Sequence, residues 1–210
     1  MRTRLLLQKF ISLLTLTYLL LAPAAYADDN KTMLVLGDSL SAAYGIDNDA
    51  GWVNLLRQKL QSEAGDWQVV NASISGETTD GGLRRLPALL DKHNPGIVVI
   101  ALGGNDGLRG FQPSAIKQRL ADMIQLAQAD ARVLLLGIEI PPNYGAAYTQ
   151  AFRNIYSSLA EQYDTALLPF MLVDIYDDEG MMQADGIHPT AAAQPKILDN
   201  IWPALASLLD

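Results

Sequence analysis

"IVVIAL", residues 97–102, places six apolar residues in a row, the first four of them β-branched. A strand with one face in water alternates apolar with polar, whereas a strand covered on both faces reads as an unbroken apolar run. The flanks are "HNPG" (93–96) and "GGND" (103–106), both rich in turn formers. The stretch therefore reads as a central strand of a parallel sheet. Working outward, the same signature recurs more weakly at 33–36, at 68–72, in "VLLLGI" (133–138) and at 166–168. Helix-period segments separate these runs. Trp52, Val53, Leu56 and Leu60 share one helical face, as do Leu83, Leu86 and Leu90, and Ile116, Leu120, Met123 and Ala127. Tyr148, Phe152, Ile155 and Leu159 mark a further helix. Ile197, Leu198, Ile201, Leu205 and Leu208 mark the last one, with a kink expected at Pro203. Alternating strand and helix predicts an α/β fold, a three-layer α/β/α sandwich around a five-stranded parallel sheet. A flavodoxin-like order, 2-1-3-4-5, is the expected arrangement.

Such a sheet has a polarity that sorts residues by function. Ligands bind beyond the carboxyl ends of the strands. The loop after the first strand holds Gly37-Asp38-Ser39, and that after the second holds "NASISGETT" with Gly76 at its bend. Gly103-Gly104-Asn105-Asp106 follows the third strand and "EIPPNYG" (139–145) the fourth. The last excursion ends in "DGIHP", with Asp185 and His188. A serine becomes a nucleophile when a base takes its proton, and a carboxylate on the other ring nitrogen of a histidine base fixes its tautomer. Only two histidines are present. His93 precedes the third strand, at the wrong edge, and reads as a cation near a helix C-terminus. His188 lies on the correct edge, with Asp185 one tight turn away. The backbone N–H groups of Ser39 and Gly76 and the side-chain amide of Asn105 are candidate donors to an oxyanion. Ser39 has a second reading as the cap of a helix, which would add the positive field of that helix's N-terminus. Asp38 reads as a turn residue and Asp106 as a brace for the Asn105 loop.

Composition narrows the rest. Arg2, Arg4 and Lys9, an apolar run over 10–22, Pro23 and Ala25-Tyr26-Ala27 read as a cleaved signal peptide, residues 1–27, directing export to the periplasm or beyond. That leaves one domain, 28–210, with 12 Lys and Arg against 23 Asp and Glu, since Arg2, Arg4 and Lys9 are removed. A net charge of −11 with no basic run argues against nucleic acid. The chain has no cysteine, which excludes disulfides, thiolate metal sites and cysteine nucleophiles. Asp47, Asn48 and Asp49 lack the twelfth-position Glu of a calcium loop, and no other metal-ligand spacing, phosphate loop or dinucleotide fingerprint is visible, so no metal site is expected. No apolar element is left over for a subunit interface, so a monomer is expected.

"GDSLS" with Ser39, the block around Gly76, "GGND" with Asn105, and "DGIHP" with Asp185 and His188 resemble, in order, the four blocks of the SGNH (GDSL) hydrolases. The resemblance covers nearly all of the chain after residue 27. It implies a serine esterase acting on fatty acyl esters, thioesters or lysophospholipids without a cofactor. It assigns Ser39 as nucleophile, Asp185 and His188 as its partners, and Ser39, Gly76 and Asn105 as the oxyanion hole. It further implies a mobile loop, 107–112, hinged at Gly107 and Gly110, and an acyl wall formed by Leu108, Phe111, Ile140 and Pro141. Glu139 departs from the family's basic or neutral residue, and an acid there is expected to weaken binding of anionic substrates. The competing functions are a carbohydrate O-acetylesterase on the same scaffold and a non-catalytic acyl-chain binder. The apolar "GLRGF" loop speaks against the first and the complete set of blocks against the second.

Overall fold

The computed structural model describes residues 30–209. The signal-peptide reading of 1–27 lies outside them. Five strands, β1 (Thr32–Gly37), β2 (Gln68–Asn71), β3 (Ile97–Ala101), β4 (Arg132–Leu136) and β5 (Ala166–Leu168), form one sheet in the order β2-β1-β3-β4-β5. Every pairing is parallel. "IVVIA" is the middle strand, and all five of its residues are buried. Met33 pairs with Ile97 and Leu36 with Ile100, so side chains of the two strands stack in register on each face.

The period of two divides the apolar strand residues between two cores. Met33, Val35, Ile97 and Val99 pack with Trp52, Leu56, Ile197 and Ile201, from helices α1 (Trp52–Glu63) and α6 (Gln194–Ala206). Leu34, Leu36, Val98 and Ile100 pack on the other face with Leu86, Leu120, Ile124 and Phe152. These belong to α2 (Thr79–His93), α4 (Pro113–Gln128) and α5 (Ala146–Tyr163). This two-sided burial is why the strand runs are continuously apolar.

Local chemistry sets the helix ends. The Thr78 hydroxyl accepts from Gly81 N and caps α2. Pro113 starts α4, where a missing N–H costs nothing. α6 continues through Pro203. The short helix α3 (Gly104–Leu108) forms directly after β3 and so carries Asn105 to the carboxyl edge of the sheet. His93 is the last residue of α2 and leads into β3, at the edge opposite those loops.

Candidate active site

The chain leaves β1 at Gly37 and turns at once. Ser41 N and Ala42 N donate to Asp38 O at 3.1 and 3.0 Å, and Tyr44 N donates to Ser39 O at 3.3 Å. These are successive turns, and the next α-helix begins only at Trp52, with Gly51 as its N-cap. Ser39 therefore caps no helix, and the expected help from a helix N-terminus does not apply. The loop is anchored from below, where Trp52 Nε1 donates to Leu40 O at 3.2 Å and Trp52 N donates to the buried Gln194 side chain at 3.0 Å.

The turn that carries the base is built around one carboxylate. Asp185 Oδ1 accepts Ile187 N at 2.9 Å and His188 N at 3.0 Å, while Oδ2 lies 2.7 Å from His188 Nδ1. The His188 backbone amide, then its ring, then the Ile187 amide hold the Asp185 carboxyl down at about 2. An ionised carboxylate can only accept, so Nδ1 carries the ring proton and Nε2 presents a lone pair. Nε2 lies 2.9 Å from Ser39 Oγ. Ser39, His188 and Asp185 thus form a hydrogen-bonded line drawn from the first and last loops, 149 residues apart at the Ser39–His188 step.

Of the candidate oxyanion donors, Ser39 and Asn105 line the pocket beside this line and Gly76 does not. Asn105 Nδ2 donates to Asp38 Oδ2 at 3.2 Å, which leaves its second N–H for another acceptor. Asp38 Oδ1 accepts from Leu40 N at 3.1 Å, the turn role expected of it. Burial pushes the Asp38 carboxyl up to about 6, against the lowering effect of the Leu40 amide and of Asn105. A group raised in this way contributes stability that is fully present below its ordinary 3.8 and is lost as pH rises through about 6. Between about pH 4 and pH 7, the unfolding midpoint of the wild type should therefore fall relative to Asp38→Asn by on the order of 5 °C. Paired calorimetric scans read this directly, and parallel curves would contradict it.

Asp106, fully buried, accepts from Thr79 N at 2.8 Å and from Thr79 Oγ1 at 2.6 Å, tying α3 to the start of α2. The Arg119 guanidinium lies 3.8 Å away. Arg109 Nη2 donates to Gly76 O at 3.2 Å, a second tie between the loops after β2 and β3.

A pocket of about 180 Å³ opens beside this line, with Ser39, Asn105 and His188 at its polar end. Leu108, Ile140 and Pro141 line it, as the sequence leads one to expect. Leu40, Ile138, Phe170, Leu172, Tyr176 and Ile187 add further apolar lining and escape sequence reasoning. Phe111 does not line it. Its side chain is partly in water, and its carbonyl accepts from Tyr148 Oη at 2.6 Å. Gly107 has a packing role whatever its mobility. A Cβ there would sit 2.7 Å from Ile140 Cγ2 and 2.8 Å from the Phe152 ring, so its role is close packing. Tyr144 Oη donates to Leu108 O at 2.7 Å and further ties the segment down.

A larger cavity of about 760 Å³ adjoins the pocket through Glu139, Ile140, Pro141, Phe170, Leu172 and Tyr176. It holds none of the three residues of the hydrogen-bonded line. Glu139 stands at the junction, and Arg153 Nη2 donates to its carboxylate at 2.7 Å. That pairing offsets the negative charge expected to repel anionic substrates. Among the described residues, no group of three or more His, Cys, Asp or Glu could hold a metal ion. Asp47 instead caps a short 3-10 turn, accepting from Asp49 N at 3.2 Å.

Residues 35–194 match the model of the GDSL-like Lipase/Acylhydrolase family. The chain belongs to that family, and it is an ester hydrolase acting on small-molecule esters. It is 57% identical to Esterase TesA of Pseudomonas aeruginosa over 180 residues, 85% of this chain and 90% of that one. It is 49% identical to Thioesterase 1/protease 1/lysophospholipase L1 of Escherichia coli K12 over 196 residues, 93% of this chain and 88% of that one. Among solved structures, the esterase EstA from a Pseudoalteromonas species, inhibited by monoethylphosphonate, superposes with a TM-score of 0.81. It is 42% identical, and the match covers 86% of this chain and 99% of EstA.

Proposed function

We propose that the chain is an exported serine hydrolase of fatty acyl esters, thioesters and lysophospholipids. The observation that carries this reading is the unbroken line Ser39–His188–Asp185 opening into an apolar pocket. His188 Nε2 takes the Ser39 proton as Oγ attacks the acyl carbonyl. Negative charge gathers on the carbonyl oxygen, where the free N–H of Asn105 and the backbone N–H groups of Ser39 and Gly76 receive it. The imidazolium, stabilised by Asp185, then protonates the leaving alkoxide or thiolate. Water repeats the sequence on the acyl-enzyme and releases the carboxylic acid.

The lining selects the acyl side. Leu108, Ile140, Leu172 and Ile187 offer carbon rather than hydrogen bonds, which favours an alkyl chain over the acetyl group of a sugar ester. The adjoining cavity gives a longer chain or a headgroup somewhere to go. Export rests on the residues 1–27, which leave 28–210 as one monomeric domain. No helix among the described residues is long and apolar enough to cross a membrane. An exported enzyme works away from cytoplasmic CoA, so lysophospholipids and other lipid esters are its natural substrates in this reading. The relatives' names support the range, since one is named an esterase and another a thioesterase and lysophospholipase.

The test is a fluorophosphonate, which phosphonylates an activated serine. Mass spectrometry should find one adduct, on Ser39, and loss of activity in proportion. A panel of esters of rising chain length, acyl-CoA, lysophospholipid and acetylated sugar then fixes the substrate class. Labelling at any other residue, or turnover confined to the acetylated sugar, would overturn the proposal.

A further inference from the structure

An imidazole makes its hydrogen bonds through its ring nitrogens, at the edge of the ring and not on its faces. Asp185 meets Nδ1 and Ser39 meets Nε2, so neither resists a tilt of the ring about the line joining the two nitrogens. The turn beneath is hydrogen-bonded but exposed at Asp185, Gly186 and Ile187, so it packs nothing against the ring from below. An aromatic side chain meets the ring. Tyr44 packs on it with ring centroids 4.4 Å apart and planes inclined at 37°.

Tyr44 is itself held in place from two sides. Its N–H bonds to Ser39 O, so the turn that presents the nucleophile also presents the aromatic ring. Its carbonyl accepts Gln183 Nε2 at 2.9 Å. The same amide nitrogen donates to Pro189 O at 3.0 Å, and Gln183 N donates to His188 O at 2.7 Å. Gln183 thereby staples the loop after β1 to the loop bearing the base. Gly45 permits the close approach, having φ +74° and lying where a Cβ would meet Gln183 Oε1 at 2.4 Å. Tyr44 is 51% exposed and does not line the pocket, so neither burial in the core nor contact with the acyl chain accounts for this arrangement.

We propose that Tyr44 is a positioning residue, whose ring holds the His188 imidazole in line between Ser39 and Asp185 and stabilises the imidazolium formed in each half-reaction. The proposal rests on the Ser39–His188–Asp185 reading above. A cation close to a tyrosine ring gains from the ring's negative face, and a fixed imidazole avoids the loss that comes with a misplaced base. Both effects act on the transition state and not on substrate binding.

The experiment compares Tyr44→Leu with Tyr44→Phe. Leucine should lower kcat about tenfold with KM within about twofold of wild type. Phenylalanine keeps the ring face and should stay within about twofold in both. The rate of fluorophosphonate labelling at Ser39 should fall with kcat in the leucine variant, since labelling needs the same base. Tyr44→Met serves in place of leucine if that variant does not fold. Three outcomes overturn the proposal: unchanged kcat in leucine or methionine, an equal fall in phenylalanine, or a rise in KM alone. Failure of the underlying triad reading is separate and visible in the wild type, as an absence of labelling at Ser39.

Discussion

Ser39→Ala should fold as the wild type does and turn over a fatty acyl ester about 10⁴- to 10⁶-fold more slowly. The geometry separates the two halves of that expectation. Ser39 Oγ is bonded to His188 Nε2, and His188 faces the pocket, where water can replace the lost hydroxyl. The backbone around residue 39 is held by Asp38 O and Ser39 O, which an alanine retains. The unfolding midpoint should therefore move little, since no buried polar group is stranded. Turnover falls because no other hydroxyl lies on the His188 line. What survives comes from Asn105 and the backbone donors, which still stabilise charge during direct attack by water. A kcat within tenfold of wild type would place the nucleophile elsewhere. A collapse of the midpoint would show that Ser39 is structural.

The fold was legible because its physics is local. Runs such as "IVVIA" are covered on both faces, and their continuous apolarity is a direct record of that burial. Strand direction alone sets which edge of the sheet each loop reaches. It separated His93, at the end of α2, from His188, which lies within hydrogen-bonding reach of Ser39. The pocket wall was harder to read. Phe111 was an obvious apolar residue in the right loop, yet the Tyr148 hydroxyl holds its carbonyl inward and its side chain is partly exposed. Phe170, Leu172 and Tyr176 take its place from the excursion after β5, whose path depends on packing against the rest of the molecule. The capping role of Ser39 failed for a similar reason. Cap residues are recognised by the helix that follows, and here the chain makes turns until Gly51. Tyr44 carries no sequence signal beyond its place five residues after Ser39, because its partner lies far along the chain.

Asp185→Asn should cost about 10⁴ in kcat at neutral pH, although the replacement is nearly isosteric. The backbone decides the outcome. Asp185 Oδ1 accepts two amides, those of Ile187 and His188, and an asparagine satisfies them only by turning its own oxygen towards them. Its NH₂ group then faces His188 Nδ1, where Oδ2 now sits at 2.7 Å. A donor opposite Nδ1 requires that nitrogen to be the acceptor, which moves the ring proton to Nε2. Nε2–H then points at Ser39 Oγ and cannot take its proton. Flipping the amide would restore the tautomer but place NH₂ against two backbone N–H groups, giving up both of their hydrogen bonds. In the wild type the Asp185 carboxyl is held down at about 2, so the carboxylate persists well below neutral pH. Loss of activity on acidification to about pH 4 should accordingly not come from protonation of Asp185. The variant tests the tautomer argument. Raising pH, which supplies hydroxide to take the Ser39 proton in place of the histidine, should recover part of its activity. A variant within tenfold of wild type at neutral pH would mean that Asp185 does not set the tautomer.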